Sequence, residues 1–200
     1  MKKIYLSLIL FILIWSPFNI SAKISRLTVR SNALYYTNHV GPFRINNRTY
    51  NYDCSGLILT ILEKSKIYLF HKLHFRKNKS IVFTMYNFLR QKNKIFRSFK
   101  NAKIGDLIFF SNTYDANKNN LWDDKFTHIA IIIDIDSNNT ITYIHKSGKG
   151  IKIAYMNLTY PHRYMKKGKI LNSFLRRKKN DDSSFFKYLS GELFTCFGSY

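Results

Sequence analysis

Two hundred residues carry 33 Lys plus Arg against 11 Asp plus Glu, a formal charge of +22 at neutral pH. With 46% hydrophobic and 16% aromatic residues the chain can bury a core, which excludes a disordered tail. The charge predicts attraction to anionic partners such as wall polymers or membrane surfaces, but no nucleic-acid-binding motif accompanies it, so no specific nucleic acid is expected as a partner.

At the N-terminus Lys2 and Lys3 precede an apolar run from Leu6 to Trp15, interrupted only by Ser7 and ended by Pro17. Ser21 and Ala22 supply small residues before Lys23. Basic end, apolar segment and small-residue site are the order of a secretory signal peptide, here residues 1–22 with cleavage after Ala22. The run falls short of the ~20 apolar residues a membrane span needs. No cysteine follows it directly, which argues against a lipid anchor. Removing residues 1–22 takes away two lysines and no acid, leaving +20. Residues 23–200 are then expected to be a single soluble domain, monomeric, in the periplasm or the medium. In such an oxidising compartment Cys54 and Cys196 could form a disulfide.

Residues 23–50 read as polar and turn-rich, with a break at His39-Val40-Gly41-Pro42. Asp53 is a helix cap, and Leu57, Ile58, Ile61 and Leu62 recur at helical spacing, so a helix is predicted from Cys54 to Lys66. Residues 67–100 mix basic and aromatic side chains and are predicted helical at least from Ser80 to Gln91. Gly105-Asp106 opens a strand, LIFFSN, and Asp115–Asp124 forms a polar loop. His128–Asp134 is apolar enough for a buried central strand. DSNN at 136–139 turns into a strand over Thr140–Lys146, paired to it as a hairpin, and SGKG at 147–150 turns again into Ile151–Met156. Residues 176–184 read as an exposed loop and GELFTCFGSY as a closing strand. A helix followed by short antiparallel strands is an α+β pattern.

Three residues in this layout share a chemical logic. Cys54 falls in the first turn of its helix, where unpaired N–H groups and the helix dipole favour an anion and should lower the thiol pKa. His128 begins the central strand and His145 ends its hairpin partner, so the two can lie side by side. With the strands packed on the helix, Cys54, His128 and His145 form a line of nucleophile, general base and orienting group. Elsewhere, Asp115, Asn117, Asn119 and Asp123 place oxygens at alternate positions, like the first half of a calcium loop, although Phe126 stands where its bidentate Glu would be. Such an ion would be structural; the chemistry itself requires no cofactor. His71 and His74 have helix-face spacing but no acidic partner nearby. The basic runs at 76–79 and 176–179 read as solvated faces.

YDCSGLIL, followed by GDLIFF, THIAIII and YIHKSGKG, resembles the NlpC-type cell-wall peptidases and their CHAP amidase relatives. The likeness covers about residues 50–160 well and GELFTCFG more loosely. It implies a papain-like α+β fold, with the cysteine helix packed on a central antiparallel sheet, and hydrolysis of peptidoglycan amide bonds. By the resemblance the nucleophile is Cys54, the base His128 and the orienting residue His145. Asp53, Ser55 and Tyr52 flank the nucleophile as positioning and oxyanion-side residues, with the Cys54 N–H as one oxyanion donor. Ala130 replaces the family's Gly in His-Val-Gly-Ile. The family's Tyr-x-x-Gly-Gly stretch upstream of the cysteine reads as absent, leaving Tyr35, Tyr36, Tyr50 and Tyr52 as unranked substitutes. A peptidoglycan endopeptidase is expected; an N-acetylmuramoyl-L-alanine amidase and a non-catalytic wall-binding protein on the same scaffold are the alternatives.

Overall fold

The computed structural model describes residues 17–74, 79–178 and 184–200. Its first element is a helix, α1 (Pro17–Tyr35), where the sequence reads as the end of a signal peptide followed, from residue 23, by turns. Val29, Ala33 and Tyr36 lie on one face and are buried, which is the burial that overrides the polar composition of this stretch. A tight hairpin follows, β1 (Phe43–Ile45) and β2 (Arg48–Tyr50). Asn46 and Asn47 join them at φ 46° and 60°, the left-handed pair that a two-residue hairpin turn demands. Helix α2 (Cys54–Lys64) and helix α3 (Ile81–Gln91) stand where the periodicity places them, capped by Asp53 and Ser80.

Six strands form the sheet: β3 (Ile95–Phe96), β4 (Leu107–Phe110), β5 (His128–Ile135), β6 (Thr140–Ser147), β7 (Gly150–Asn157) and β10 (Phe194–Gly198). A two-stranded ribbon, β8 (Met165–Lys166) with β9 (Lys169–Ile170), and a short helix α4 (Ser190–Leu193) lie between β7 and β10. The sheet order is β3-β10-β4-β5-β6-β7, every pairing antiparallel. The expected closing strand is therefore an interior one, hydrogen-bonded on both sides.

Alternation along the central strands builds two cores. Leu107 and Phe109 of β4 with Ile129, Ile131 and Ile133 of β5 join the cluster containing Leu57, Ile58 and Ile61 of α2. Ile108, Phe110, Ala130 and Ile132 join Tyr143, Met156 and Phe197 in the other. Both faces of β4 and β5 are covered, which is why their sequences are nearly continuous apolar runs. One more expectation is corrected here. Arg176, assigned to an exposed loop, is buried, its guanidinium resting on Phe186 and Trp122 and donating to the Asn112 carbonyl. Residues 179–183 of that stretch lie outside the described residues.

One ion pair ties α1 to the sheet. Arg26 Nη1 donates to Asp106 Oδ1 (2.9 Å) and the Ile104 carbonyl (2.7 Å), and Nη2 to Ser199 Oγ (3.1 Å). Asp106 is 1% exposed and also accepts from the Lys103 N–H, so the pair fixes the turn that opens β4. Removing the cation would strand a buried carboxylate. Arg26→Ala is expected to lose about 3 kcal/mol in urea unfolding, and Arg26→Lys, which keeps the charge but not the fork, to fall between it and wild type.

Candidate active site

The site begins with the start of α2. Asp53 is extended (φ −132°, ψ −179°), and its Oδ1 accepts from the Gly56 N–H (2.8 Å) and from Ser55 Oγ (2.7 Å). Gly56 permits this geometry, because a Cβ there would lie 2.0 Å from the Asn51 carbonyl oxygen. The Asp-Cys-Ser-Gly motif thus has a local physical reason for three of its members. It leaves Cys54 as the first helical residue, its thiol favoured toward the anion by the nearby backbone N–H groups of Ile129, Ser55 and Cys54 itself. Since Ile129 follows His128 in β5, the thiol is placed against the start of that strand.

His128 Nε2 and His145 Nδ1 are 2.9 Å apart, the rings edge-to-face, and both residues are buried. Phe110 and Tyr143 pack beside them. The β5–β6 hairpin produces this contact, as the strand register expected. One nitrogen of each ring is committed to the pair. If His128 donates through Nε2–H, its Nδ1 lone pair is available to take a proton.

The segment leading into His128 is held tightly. Phe126 takes φ 56°, a conformation costing a bulky L-residue about 1–3 kcal/mol. It stacks on Tyr86 (3.9 Å) and meets Phe109 edge-on. The Thr127 hydroxyl accepts from the Thr113 N–H (3.0 Å) and the Thr113 hydroxyl (2.8 Å). Beyond Thr113 stands Tyr114, 56% exposed, its hydroxyl raised in pKa by burial and then by Cys54, Asp124 and Asp53. Tyr114 is thus the tyrosine whose hydroxyl is electrostatically coupled to Cys54, and nothing local in the sequence marks it.

The four tyrosines considered upstream have other places. Tyr35 is exposed and Tyr36 lies in the core, while Tyr50 donates to Glu63 and Tyr52 to the His39 carbonyl (2.7 Å). Tyr52 packs on Phe43, with Lys146 over its ring, which makes it a wall beside the nucleophile helix. Phe43-Arg44-Ile45-Asn46-Asn47 ends in two left-handed residues but carries neither the tyrosine nor the glycines of a Tyr-x-x-Gly-Gly stretch.

Burial reverses one electrostatic expectation. The Cys54 thiol is pushed up to about 11, chiefly by desolvation and then by the Asp53 charge, against which the three N–H groups pull only part of the way. The helix start was expected to lower it. His128 is held well below its ordinary value by burial and by His145, and His145 is lowered to about 4 by burial and by Lys146. The thiol and both imidazoles are thus held in their neutral forms at neutral pH, between the charges of Asp53 and Lys146. Cys54 and Cys196 are both free thiols, so the possible disulfide is not formed.

The Asp115 loop is closed on itself. Asp115 accepts from the Asn119 and Asn120 N–H groups, and Asp123 from the side-chain amides of Asn117 and Asn119. Among the described residues no group of three His, Cys, Asp or Glu is arranged to hold a metal. His71 accepts from Arg48, and His74 is not part of that contact.

The NlpC/P60 family model matches residues 40–169. The chain belongs to the NlpC/P60 family. Its α+β architecture, with the cysteine-bearing helix on an antiparallel sheet that carries both histidines, is the papain-like arrangement the resemblance implied. The family acts on peptidoglycan and is of cell-wall peptidase type. No curated protein matches this NlpC/P60 chain significantly. A solved structure similar to it is a protein from Staphylococcus aureus subsp. aureus Mu50, described as similar to lipoprotein, NLP/P60 family. Identity is 24%, the match covers 68% of this chain and 37% of that one, and the TM-score is 0.40.

Two measurements follow from the neutral thiol and imidazoles. Alkylation of Cys54 by iodoacetamide should accelerate about tenfold per pH unit from pH 7.5 to 10, whereas a plateau near neutrality would reveal a preformed ion pair. Stability should also fall as pH falls, at the acidic end. Histidines lowered in the folded state bind protons more readily when unfolded, so stability is full above pH ~6.5 and falls toward pH ~4, by up to about 1.4 kcal/mol per pH unit for each histidine. Chemical denaturation of wild type and His145→Asn across that window checks the sign, the variant showing the shallower slope.

Proposed function

We propose that this NlpC/P60 chain is a secreted cysteine peptidase that cleaves amide bonds in peptidoglycan stem peptides or cross-links. The observation that carries the reading is the 2.9 Å His128–His145 contact at the ends of two paired strands, with the Cys54 sulfur against the next backbone N–H, that of Ile129. In this reading His128 Nε2–H donates to His145 Nδ1, which leaves His128 Nδ1 to accept the Cys54 proton. The thiolate attacks the scissile carbonyl, and its oxygen becomes an oxyanion beside the N–H groups of the first helical turn, Cys54 N–H among them. His128 then gives its proton to the leaving amine, and a thioester remains on Cys54. Water, deprotonated by His128, attacks the thioester and regenerates the thiol. Asp53 and Ser55 hold the helix start, and Tyr52 and Tyr114 wall the approach.

A thiol at about 11 beside neutral histidines means that proton transfer is completed only as substrate enters and displaces water. Residues 1–22 serve as a cleaved signal peptide, and the processed protein works as a monomer in the periplasm or outside the cell. Calcium in the Asp115 loop would stiffen the approach to Thr127 and His128 without entering the reaction. The high thiol pKa, together with the missing Tyr-x-x-Gly-Gly stretch, favours the second reading, a wall-binding protein on the same scaffold.

Incubation of the purified protein with sacculi separates the two. Peptidase activity predicts fragments with new amino and carboxyl termini, absent with Cys54→Ala and His128→Ala. His145→Ala is expected to retain activity lowered by about 10²-fold. Binding to sacculi undiminished in Cys54→Ala, with no fragments from either protein, selects the binding module.

A further inference from the structure

At the end of α2 remote from Cys54, a cavity of about 1040 Å³ opens between α1, the 66–74 segment and the end of α3. Eleven helical residues, about 16 Å, separate it from the nucleophile. Lys66, Lys72, Lys92 and Lys94 line it, and among the described residues none of the four is ion-paired to a carboxylate. No acidic side chain lines it. Its floor is apolar, formed by Ile67, Phe88 and Leu89, with Tyr68 standing 47% exposed at the rim.

The complement of two helix C-termini explains only part of this charge. Helices α2 and α3 both end at the cavity, and two half-charges of the macrodipoles are opposed by four ammonium groups. The backbone fixes where one of these lysines stands. Helix α2 ends with Ile67 N–H on the Leu62 carbonyl (2.8 Å) and Lys66 N–H on the Glu63 carbonyl (2.9 Å), a termination whose left-handed position favours glycine. Lys66 occupies that position at φ 61°. A glycine would close the helix with less strain; the lysine there, like Lys118 and Lys167 elsewhere, is left-handed.

A ligand complementary to this site carries an anionic group for the lysines and an apolar portion for the floor. Lysines around an exposed tyrosine and a hydrophobic base have the composition of a membrane-interface contact. Helix α1 contributes Ser25 and Arg26 to one wall. We propose that this cavity binds the headgroup and upper acyl region of an anionic phospholipid. The enzyme would then rest on a membrane with the Cys54 end of α2 directed away from it. The inference uses the proposed activity only for that orientation; the binding itself does not require catalysis.

Dihexanoyl phosphatidylglycerol, kept below its micelle-forming concentration, can be titrated into the isotopically labelled full chain and followed by amide chemical shifts. Saturable shifts are expected around Lys66, Tyr68 and Phe88, and equally in Cys54→Ala, so a failed activity would not touch this result. Lys66/Lys72/Lys94→Gln should weaken binding about a hundredfold, and Lys149/Lys152/Lys169→Gln, the same charge change on exposed residues elsewhere, less than about twofold. Lys66→Gly is the sharper test: it should melt at higher temperature and yet bind more weakly, and it also serves if the triple variant does not fold. Equal weakening by both triple variants would reduce the effect to diffuse charge and overturn the proposal. So would binding of inorganic phosphate or poly(glycerol phosphate) at this cavity as tight as that of the lipid, and so would the absence of saturable shifts.

Discussion

The Asp53 carboxylate decides where α2 starts, and the site depends on that start. By accepting from the Gly56 N–H and Ser55 Oγ it terminates the incoming chain in an extended conformation and makes Cys54 the first helical residue. One residue earlier or later would rotate the sulfur by about 100° around the helix axis. The close approach of the Asn51 carbonyl to Gly56 locks the same boundary from the other side. With α2 packed on β5 through Leu57, Ile58 and Ile61, the helix start and the strand start become neighbours. The chemistry of this NlpC/P60 chain therefore follows from a backbone boundary condition.

Close packing that brings the groups together also suppresses their charges. Desolvation raises the thiol and lowers both imidazoles, so in a chain of net charge +22 these three groups of the candidate site are held in their neutral forms. In the proposed reaction, charge appears only when the substrate carbonyl replaces water at the first turn of α2, where the N–H groups are already oriented. The left-handed Phe126 belongs to the same design, because its strain is held by the rings of Tyr86 and Phe109 just ahead of His128.

What was legible in the sequence was whatever short-range pattern controls. The 3.6-residue apolar spacing after Asp53, the turn at 136–139 and the apolar run from Ile129 were enough to place α2, the β5–β6 hairpin and the two histidines. Helix α1 was missed because Arg26, Thr28, Arg30 and Asn32 dilute its apolar face to Val29, Ala33 and Tyr36, whose burial is supplied by distant elements. Tyr114 carries no local mark, since its proximity to the thiol arises from the path of the chain after β4. The direction of the Cys54 shift was misjudged for a related reason. A helix dipole can be read from one segment, whereas desolvation depends on what the rest of the molecule places around the sulfur.

The position of β10 bears on how the protein comes into being. Strand β10 lies between β3 and β4, so Phe96 and Phe109, only 13 positions apart in the chain, are bridged by residues 194–198. As the chain lengthens, β4 through β7 can zip as a meander, yet β4 keeps a bare hydrogen-bonding edge and a half-covered core until those residues exist. Closing so large a loop costs entropy before its contacts form, which makes sheet completion a late event in folding. The helix that carries Cys54 therefore gains its finished scaffold only once residues 194–198 have entered the sheet.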